Sequence, residues 1–217
     1  MSAEPVAPVA IAIHGGAGTI VRDNMTADLE AQFEAKLAEA LRTGHAILLD
    51  GGSSLDAVAA TIEVMENSPL FNAGKGAVFN AEGVNELDAS IMNGSDRQAG
   101  AVAGVRGIAN PIHLARAVMD HSPHVMLMGE GAVEFARAQG FNTVESDYFY
   151  TERRWQQLQD AQKQAGQFTV LPNDQLFSTV GAVALDQQGN LAAGTSTGGM
   201  TNKRFGRVGD SPIIGAG

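Results

Sequence analysis

The fold of this chain is indicated by the stretch Thr179-Val180-Gly181-Ala182-Val183-Ala184-Leu185-Asp186. A hydroxyl residue stands directly before an apolar run of small and β-branched residues, which is typical of a buried strand. After the turn residues 187–190, a second run ends in Gly194-Thr195-Ser196-Thr197-Gly198. The two runs predict a hairpin with strands at 179–185 and 191–197.

Thr179 has a position that suits a nucleophile of unusual type. A threonine hydroxyl is a weak nucleophile unless a base lies beside it, and a free N-terminal amine with a pKa of about 8 is such a base. Thr179 lies mid-chain, so this chemistry requires a precursor that cuts itself between Ser178 and Thr179. Taken alone, the same position also suits a threonine that simply begins a strand.

The composition limits the classes of function. The 217 residues are 44% hydrophobic, which indicates one globular domain with a substantial core. A net charge of −10 without a basic cluster argues against nucleic acid or an anionic membrane as a partner, but one arginine can still hold a small carboxylate. The chain has no cysteine, so disulfides and thiol catalysis are excluded. We see neither a signal peptide nor a membrane span and expect a cytoplasmic protein.

The remaining pattern predicts an α+β fold. Helices are expected at 27–43, 54–67, 111–120 and 130–139, and further strands at 9–13, 77–79, 86–92, 99–105 and 124–128. Another strand is expected to begin at Ile213. The first helix should stop at Gly44, and Ser53 to Asp56 resembles a capping box for the second. From Tyr150 to Phe177 we expect a polar helix that fades into a flexible linker, about 151–178. Strands and helices in blocks favour antiparallel sheets covered by helices.

A rival interpretation is a serine esterase. Gly194-Thr195-Ser196-Thr197-Gly198 matches the G-x-S-x-G nucleophile motif, and His14-Gly15-Gly16 resembles the loop that supplies an oxyanion hole. That fold needs a histidine after the serine. All five histidines precede Ser196, so the required order is not met.

Three loops carry further candidate residues, each with a plain structural alternative. Arg207 and Asp210 could bracket the α-carboxylate and α-amino group of an amino acid, or form a solvated ion pair. Backbone carbonyls between Met65 and Lys75 could hold a monovalent cation, or belong to an ordinary connection. Gly15 and Gly16 could present N–H groups to an oxyanion, or permit tight packing.

Six segments, in this order along the chain, together resemble the plant-type asparaginase/isoaspartyl peptidase family of N-terminal-nucleophile hydrolases. They are Ile11-Ala12-Ile13-His14-Gly15-Gly16-Ala17-Gly18, Pro69-Leu70-Phe71-Asn72-Ala73-Gly74-Lys75-Gly76, Glu86-Leu87-Asp88-Ala89, Thr179 to Asp186, Thr195-Ser196-Thr197-Gly198-Gly199 and Gly206-Arg207-Val208-Gly209-Asp210-Ser211-Pro212. The resemblance covers essentially the whole chain.

The resemblance implies a four-layer αββα sandwich made from an autocleaved precursor. In it Thr179 is the nucleophile, Thr197 assists its activation, and Asn72 helps to position it. Arg207 to Asp210, including Val208 and Gly209, binds the substrate, and Gly15 and Gly16 form the backbone loop near the oxyanion. The reaction is hydrolysis of asparagine and β-aspartyl peptides through an ester on Thr179. No organic cofactor is implied, but a sodium ion is, held by main-chain oxygens of Met65, Glu66, Ser68, Phe71, Ala73 and Lys75.

The sequence departs from this family at two places. Ser178 stands where the family usually has glycine, so we expect slower cleavage. The family also continues beyond residue 217, with a Thr-Gly element that binds substrate, so we expect an incomplete domain: 1–178 as the α-subunit part and 179–217 as the start of the β-subunit part. The complete protein should be a dimer of cleaved αβ units. The alternatives are a glycosylasparaginase-type amidase and an inactive fragment.

Overall fold

A six-stranded mixed sheet is the centre of the fold in the computed structural model, which describes residues 7–16, 25–165 and 179–217. Its strands are β1 (Ala10–His14), β2 (Leu87–Asn93), β3 (Ala99–Val105), β4 (Met126–Met128), β5 (Val180–Leu185) and β6 (Leu191–Thr197). They lie in the order β1-β5-β6-β2-β3-β4. Neighbouring strands are antiparallel except β3 and β4, which are parallel.

Five α-helices accompany this sheet in the described residues. They are α1 (Ala27–Leu49), α2 (Ser54–Glu66), α3 (Pro111–His121), α4 (Gly129–Ala138) and α5 (Glu152–Ala165). α2 packs on β5 and β6, α3 on β2 and β3, and α1 on α2 and β1. The capping box is confirmed: Ser53 Oγ accepts a hydrogen bond from Asp56 N at 3.1 Å and donates one to Asp56 Oδ2 at 2.7 Å.

The sheet has a helix face and an open face, set by the alternation of side chains along each strand. On the helix face, Ala182 and Ala184 of β5 and Ile91 of β2 are buried in the core. On the open face, Val183 is 51% exposed and Leu191 is 58% exposed. The α+β class is therefore confirmed. The four-layer sandwich stays a prediction, because the described residues supply one sheet.

The prediction that the first helix ends at Gly44 is wrong, since α1 continues to Leu49. Gly44 is the point at which α1 crosses α2 and β1. A Cβ at this position would meet the side-chain oxygen of Thr61 and lie 2.5 Å from Ile11 Cδ1. Glycine here serves close helix packing, and its usual role as a helix terminator does not apply.

Two predicted strands are not formed. Residues 77–79 lie outside the sheet because side-chain amides satisfy their backbone: Val78 N donates to Asn72 Oδ1 at 2.9 Å, and Asn85 Nδ2 donates to Ala77 O at 3.0 Å. The strand expected to begin at Ile213 is instead a series of turns, in which Ile213 N donates to Asp210 O at 2.9 Å. Apolar composition alone favoured strands at both places.

The polar stretch before Thr179 starts as helix α5, and residues 166–178 lie outside the described part of the chain. α5 is attached to the loop that follows α2. Arg154, only 3% exposed, donates from Nε to Gly76 O at 2.7 Å, and Arg153 Nη2 donates to Leu70 O at 2.8 Å. Helix α5 is thus a docked element, and the predicted flexible linker does not begin at residue 151. Within the described residues, no helix is long and apolar enough to cross a membrane.

Candidate active site

The candidate catalytic residues lie at one end of the sheet. Thr179 directly precedes β5 and Thr197 ends β6, and Val180 lies opposite Ser196 in the antiparallel pairing of these strands. Gly15 and Gly16 follow β1 at the same end, since His14 lies opposite Gly181. The fold therefore brings together three of the segments that the sequence singled out. Ser178, the other side of the predicted cleavage site, lies outside the described residues.

The hydroxyl of Thr179 has a partner that sequence reasoning did not identify. Its Oγ1 lies 3.0 Å from Ser211 Oγ, and Ser211 is 1% exposed. The carbonyl oxygen of Ser211 accepts hydrogen bonds from Ser90 Oγ and Thr195 Oγ1, each at 2.7 Å. Ser90 and Thr195 lie opposite each other on β2 and β6. The candidate nucleophile thus contacts a buried serine whose carbonyl is bound by two further hydroxyls of the open face.

Asn72 fixes the chain immediately after Thr197. Its side-chain Nδ2 donates to Gly199 O at 2.7 Å, and its backbone carbonyl accepts a hydrogen bond from Gly198 N at 3.0 Å. Gly199 N in turn donates to Thr197 Oγ1 at 3.0 Å. These contacts place Asn72 one step from Thr197. Its predicted role in positioning Thr179 stays a prediction.

The candidate substrate loop, 207–210, leads directly into Ser211. Arg207 is half-buried and its guanidinium packs over Gly209, where a Cβ would lie 2.8 Å from Arg207 Nη1. Val208 is 38% exposed and Asp210 is also exposed. A cavity of about 290 Å³ beside the loop is lined by Glu86, Arg106, Met128, Lys203, Arg207 and Val208, among others. Ser211 therefore joins this loop to the end of the sheet that carries Thr179.

Asp88 is a second residue that spacing did not identify. It lies opposite Thr197, at a bulge where β3 turns through Gly104 with φ of 61°. Asp88 Oδ1 accepts from Gly104 N at 2.7 Å, whereas the buried Oδ2 has no hydrogen-bond partner among the described residues. Burial raises the pKa of Asp88, and the positive charge of Lys203 opposes that rise. A carboxyl whose pKa is raised by burial thus lies opposite Thr197 on the neighbouring strand.

Packing and backbone conformation require the two glycines of the first glycine loop, Gly15 and Gly16. A Cβ on Gly15 would lie 3.0 Å from Leu37 Cδ2 and 3.3 Å from Phe71 Cε1, so close packing requires glycine there. Gly16 has φ of 119°, which side chains rarely tolerate, and its backbone orientation is therefore available only to glycine. Packing explains Gly15, and the oxyanion role stays a prediction.

The serine esterase alternative is wrong. Ser196 is 0% exposed, points to the helix face from inside β6, and donates from Oγ to Glu66 Oε1 at 2.6 Å. Ile112 N donates to the same carboxylate oxygen at 3.0 Å, and desolvation raises the pKa of Glu66 to about 8. A nucleophile motif requires an exposed serine on a strand-to-helix turn. Ser196 is instead a structural residue that binds a buried acid.

The predicted sodium loop is tightly folded. Five of the six residues predicted to bind sodium are buried, namely Met65, Glu66, Ser68, Phe71 and Ala73. The sixth, Lys75, is half-buried. A Cβ on Gly74 would collide with Glu66 O, and one on Gly76 with Phe71 O, so both carbonyls point into the loop. Arg153 and Arg154 bind the carbonyls of Pro69, Leu70 and Gly76. Among the described residues, no group of three His, Cys, Asp or Glu side chains could hold a metal.

Comparisons with known proteins show what the chain is similar to. A family model described as Asparaginase matches residues 7–217. The chain is 50% identical over 214 residues to the isoaspartyl peptidase of Escherichia coli (strain K12), covering 95% of this chain and 66% of that protein. It is 46% identical to the plant-type L-asparaginase of Pyrococcus abyssi (96% and 69% covered) and 44% identical to the isoaspartyl peptidase/L-asparaginase of Homo sapiens (97% and 66%). The chain spans about two thirds of the length of these curated relatives.

Proposed function

Because this chain belongs to the asparaginase family, we propose that it hydrolyses β-aspartyl dipeptides and L-asparagine to release L-aspartate. The observation that carries the proposal is the contact of 3.0 Å between Thr179 Oγ1 and Ser211 Oγ. It joins the candidate nucleophile to the loop 207–210. The names of the similar proteins, isoaspartyl peptidase and L-asparaginase, support the same substrate class.

The first step is cleavage of the chain itself. Thr179 Oγ1 attacks the carbonyl carbon of Ser178, the C–N bond to Thr179 breaks, the hydroxyl proton passes to the released nitrogen, and an ester forms between the two residues. Water then hydrolyses the ester, which leaves a carboxylate on Ser178 and a free α-amine on Thr179. That amine is the base which the hydroxyl lacks in the uncleaved chain.

Turnover repeats this chemistry on substrate. The Thr179 amine accepts the hydroxyl proton while Oγ1 attacks the side-chain carbonyl of asparagine or of the β-aspartyl peptide. The proton passes to the leaving ammonia or amine, and water hydrolyses the resulting β-aspartyl ester to aspartate. Thr197 lies on the neighbouring strand end and assists the hydroxyl, and the backbone of Gly15 and Gly16 faces the developing oxyanion.

Arg207 and Asp210 bind the two charged groups that asparagine and β-aspartyl peptides share. The guanidinium of Arg207 pairs with the α-carboxylate, and the carboxylate of Asp210 accepts hydrogen bonds from the α-ammonium. Val208 and Gly209 hold the spacing between them. The geometry that supports this assignment is the placement of the loop directly before Ser211, which contacts Thr179.

A sodium ion would be bound by the main-chain oxygens of Met65, Glu66, Ser68, Phe71, Ala73 and Lys75. The carbonyls of Glu66 and Phe71 that point into the loop are suited to a hard cation. The three carbonyls bound by Arg153 and Arg154 are not in the predicted set, so the arginines and the ion do not compete. The ion would supply a fixed positive charge that orders the loop carrying Asn72.

The exposed apolar residues of the open face support the larger assembly. We assign Val183 and Leu191 to the contact with a second sheet, which completes the four-layer αββα sandwich. Two cleaved αβ units then form the dimer. The activity and the assembly both refer to the full-length protein.

The test is the mass and activity of the full-length protein. We expect intact-mass spectrometry to find a fragment that begins at Thr179, and the cleaved protein to hydrolyse β-aspartyl dipeptides. Thr179→Ala should abolish both, because it removes the attacking oxygen. Thr43→Ala on α1, far along the chain from the site, is the control and should change neither. An uncleaved protein that is fully active would rule out the proposed mechanism.

A further inference from the structure

The side chain of Ser211 has a contact that the proposed mechanism does not yet use. Its Oγ lies 3.0 Å from Thr179 Oγ1, the atom that must attack in both cleavage and turnover. We propose that Ser211 is a positioning residue, whose hydroxyl holds Thr179 Oγ1 in place for attack on the preceding peptide. The inference rests on the proposed function, because it assumes that Thr179 is the nucleophile.

The uncleaved chain needs such a group. Before cleavage the nitrogen of Thr179 belongs to a peptide bond and cannot act as a base or orient the hydroxyl as an amine does. A threonine side chain has more than one accessible χ1 rotamer, and only some of them direct Oγ1 at the preceding carbonyl. A hydroxyl can both donate and accept, so Ser211 can bind Oγ1 without consuming its proton.

Ser211 is itself held rigidly. It is 1% exposed, and its carbonyl accepts the two hydrogen bonds from Ser90 and Thr195, each at 2.7 Å. The hydroxyls of Ser90 and Thr195 also lie 3.0 Å from each other across β2 and β6. Two strands thus fix the backbone of Ser211, so its side chain can impose a position on Thr179.

The two parts of Ser211 have separate partners, and this makes the inference testable. The carbonyl binds the sheet, whereas the hydroxyl contacts the nucleophile. Ser211→Ala removes the hydroxyl and keeps the carbonyl with both of its hydrogen bonds. The variant should therefore fold as the wild type does while losing the contact with Thr179.

The experiment follows the cleavage of full-length protein made by cell-free synthesis, so that time zero is defined. The rate at which the fragment beginning at Thr179 appears is measured by intact mass for wild type and Ser211→Ala. We expect cleavage about tenfold slower in the variant, the effect of one ordinary hydrogen bond. Ser211→Thr, which retains the hydroxyl, should recover most of the rate. Ser54→Ala, at another buried serine (2% exposed), is the matched control and should cleave as wild type does.

A double-mutant cycle distinguishes a direct effect of the Ser211 hydroxyl on Thr179 Oγ1 from an effect on folding alone. If the hydroxyl acts directly on Oγ1, the effect of Ser211→Ala on the rate should differ between the wild-type and Thr179→Ser backgrounds, because serine lacks the methyl group that restricts χ1. Additive effects, or slowing by Ser54→Ala equal to that by Ser211→Ala, would overturn the inference. So would cleavage of Ser211→Ala at the wild-type rate, and in each case the proposed function would survive. A wild-type protein never cut before Thr179 would instead defeat both.

Discussion

The helix face and the open face of the sheet are built from the same strands but have different chemistry. On β6, Ser196 points to the helices and binds the buried Glu66, whereas Thr195 and Thr197 on either side point the other way. Thr195 binds the carbonyl of Ser211, which contacts Thr179. Successive hydroxyl residues of β6 thus contribute either to stability or to the candidate active site. Because side chains alternate between the two faces of a strand, the position of each residue along β6 determines its face.

The largest effect on stability should come from the helix face. Gly44→Ala adds a methyl group that meets Thr61 and lies 2.5 Å from Ile11, with Ala57 O at 3.0 Å. The overpacking should cost about 3 kcal/mol of unfolding free energy, more than the helix propensity gained from alanine. Urea denaturation measures the change.

Gly131→Ala is the matched control on α4. A Cβ there meets nothing within 4 Å, so the substitution should stabilise the protein by about 0.5–1 kcal/mol. Equal effects at the two glycines would show that the crossing of α1 over α2 is not close-packed.

A smaller effect is expected at Ser196, and it would sharpen the comparison between the faces. Ser196→Ala removes the hydrogen bond of 2.6 Å to Glu66 Oε1 in a buried site and keeps the one from Ile112 N, which should cost about 2 kcal/mol of unfolding free energy. Hydrolysis of substrate should persist, whereas removal of an enzyme's nucleophile lowers kcat by about a millionfold. Denaturation and a β-aspartyl dipeptide assay measure the two quantities. Loss of turnover without loss of stability would return Ser196 to the catalytic candidates.

The smallest expected effect concerns pH and Asp88. Because burial raises the pKa of Asp88 above its ordinary value of 3.8, the native state holds this proton more tightly than the unfolded state does. The associated stability is present below pH 3.8 and is lost as pH rises through the native pKa. Lys203 and Arg207 oppose the rise in pKa, and Glu86 adds to it.

Asp88→Asn should abolish this component. The unfolding free energy of wild type minus that of Asp88→Asn should therefore fall as pH increases from 4 towards neutrality, as measured by urea denaturation at several pH values. A difference that rises with pH would mean that Asp88 is stabilised as an anion.

The sequence predicted what local patterns encode. β3 and β6 were predicted with their observed bounds because small and β-branched residues fill them and turns flank them. The strand predicted at 77–79 is not formed, because side-chain amides of Asn72 and Asn85 bind the backbone groups that would otherwise pair with a neighbouring strand. The motifs identified Thr179, Thr197 and the loop 207–210 as candidates. Ser211 was not identified as a candidate of its own, since its partners Thr179 and Ser90 lie 32 and 121 residues earlier in the chain.

The arginines of α5 show the same limit. Arg153 and Arg154 bind carbonyls 78 to 84 residues earlier in the chain, and nothing in a polar, glutamine-rich segment signals such partners. The polar composition of the segment predicted a helix but not what the helix binds. Contacts of this length depend on the completed fold.

The docking of α5 also places the tryptophan of the chain where its fluorescence can report on α5. Trp155 is the only tryptophan of the chain, and its ring lies edge-on to Phe79 with centroids 5.3 Å apart. It is half-buried and also covers Gly83. Because α5 precedes the predicted cleavage site in the chain, the emission of this one fluorophore would report whether α5 stays docked after cleavage. Trp155 is therefore an intrinsic probe of the proposed cleavage, which would free the α-amine of Thr179.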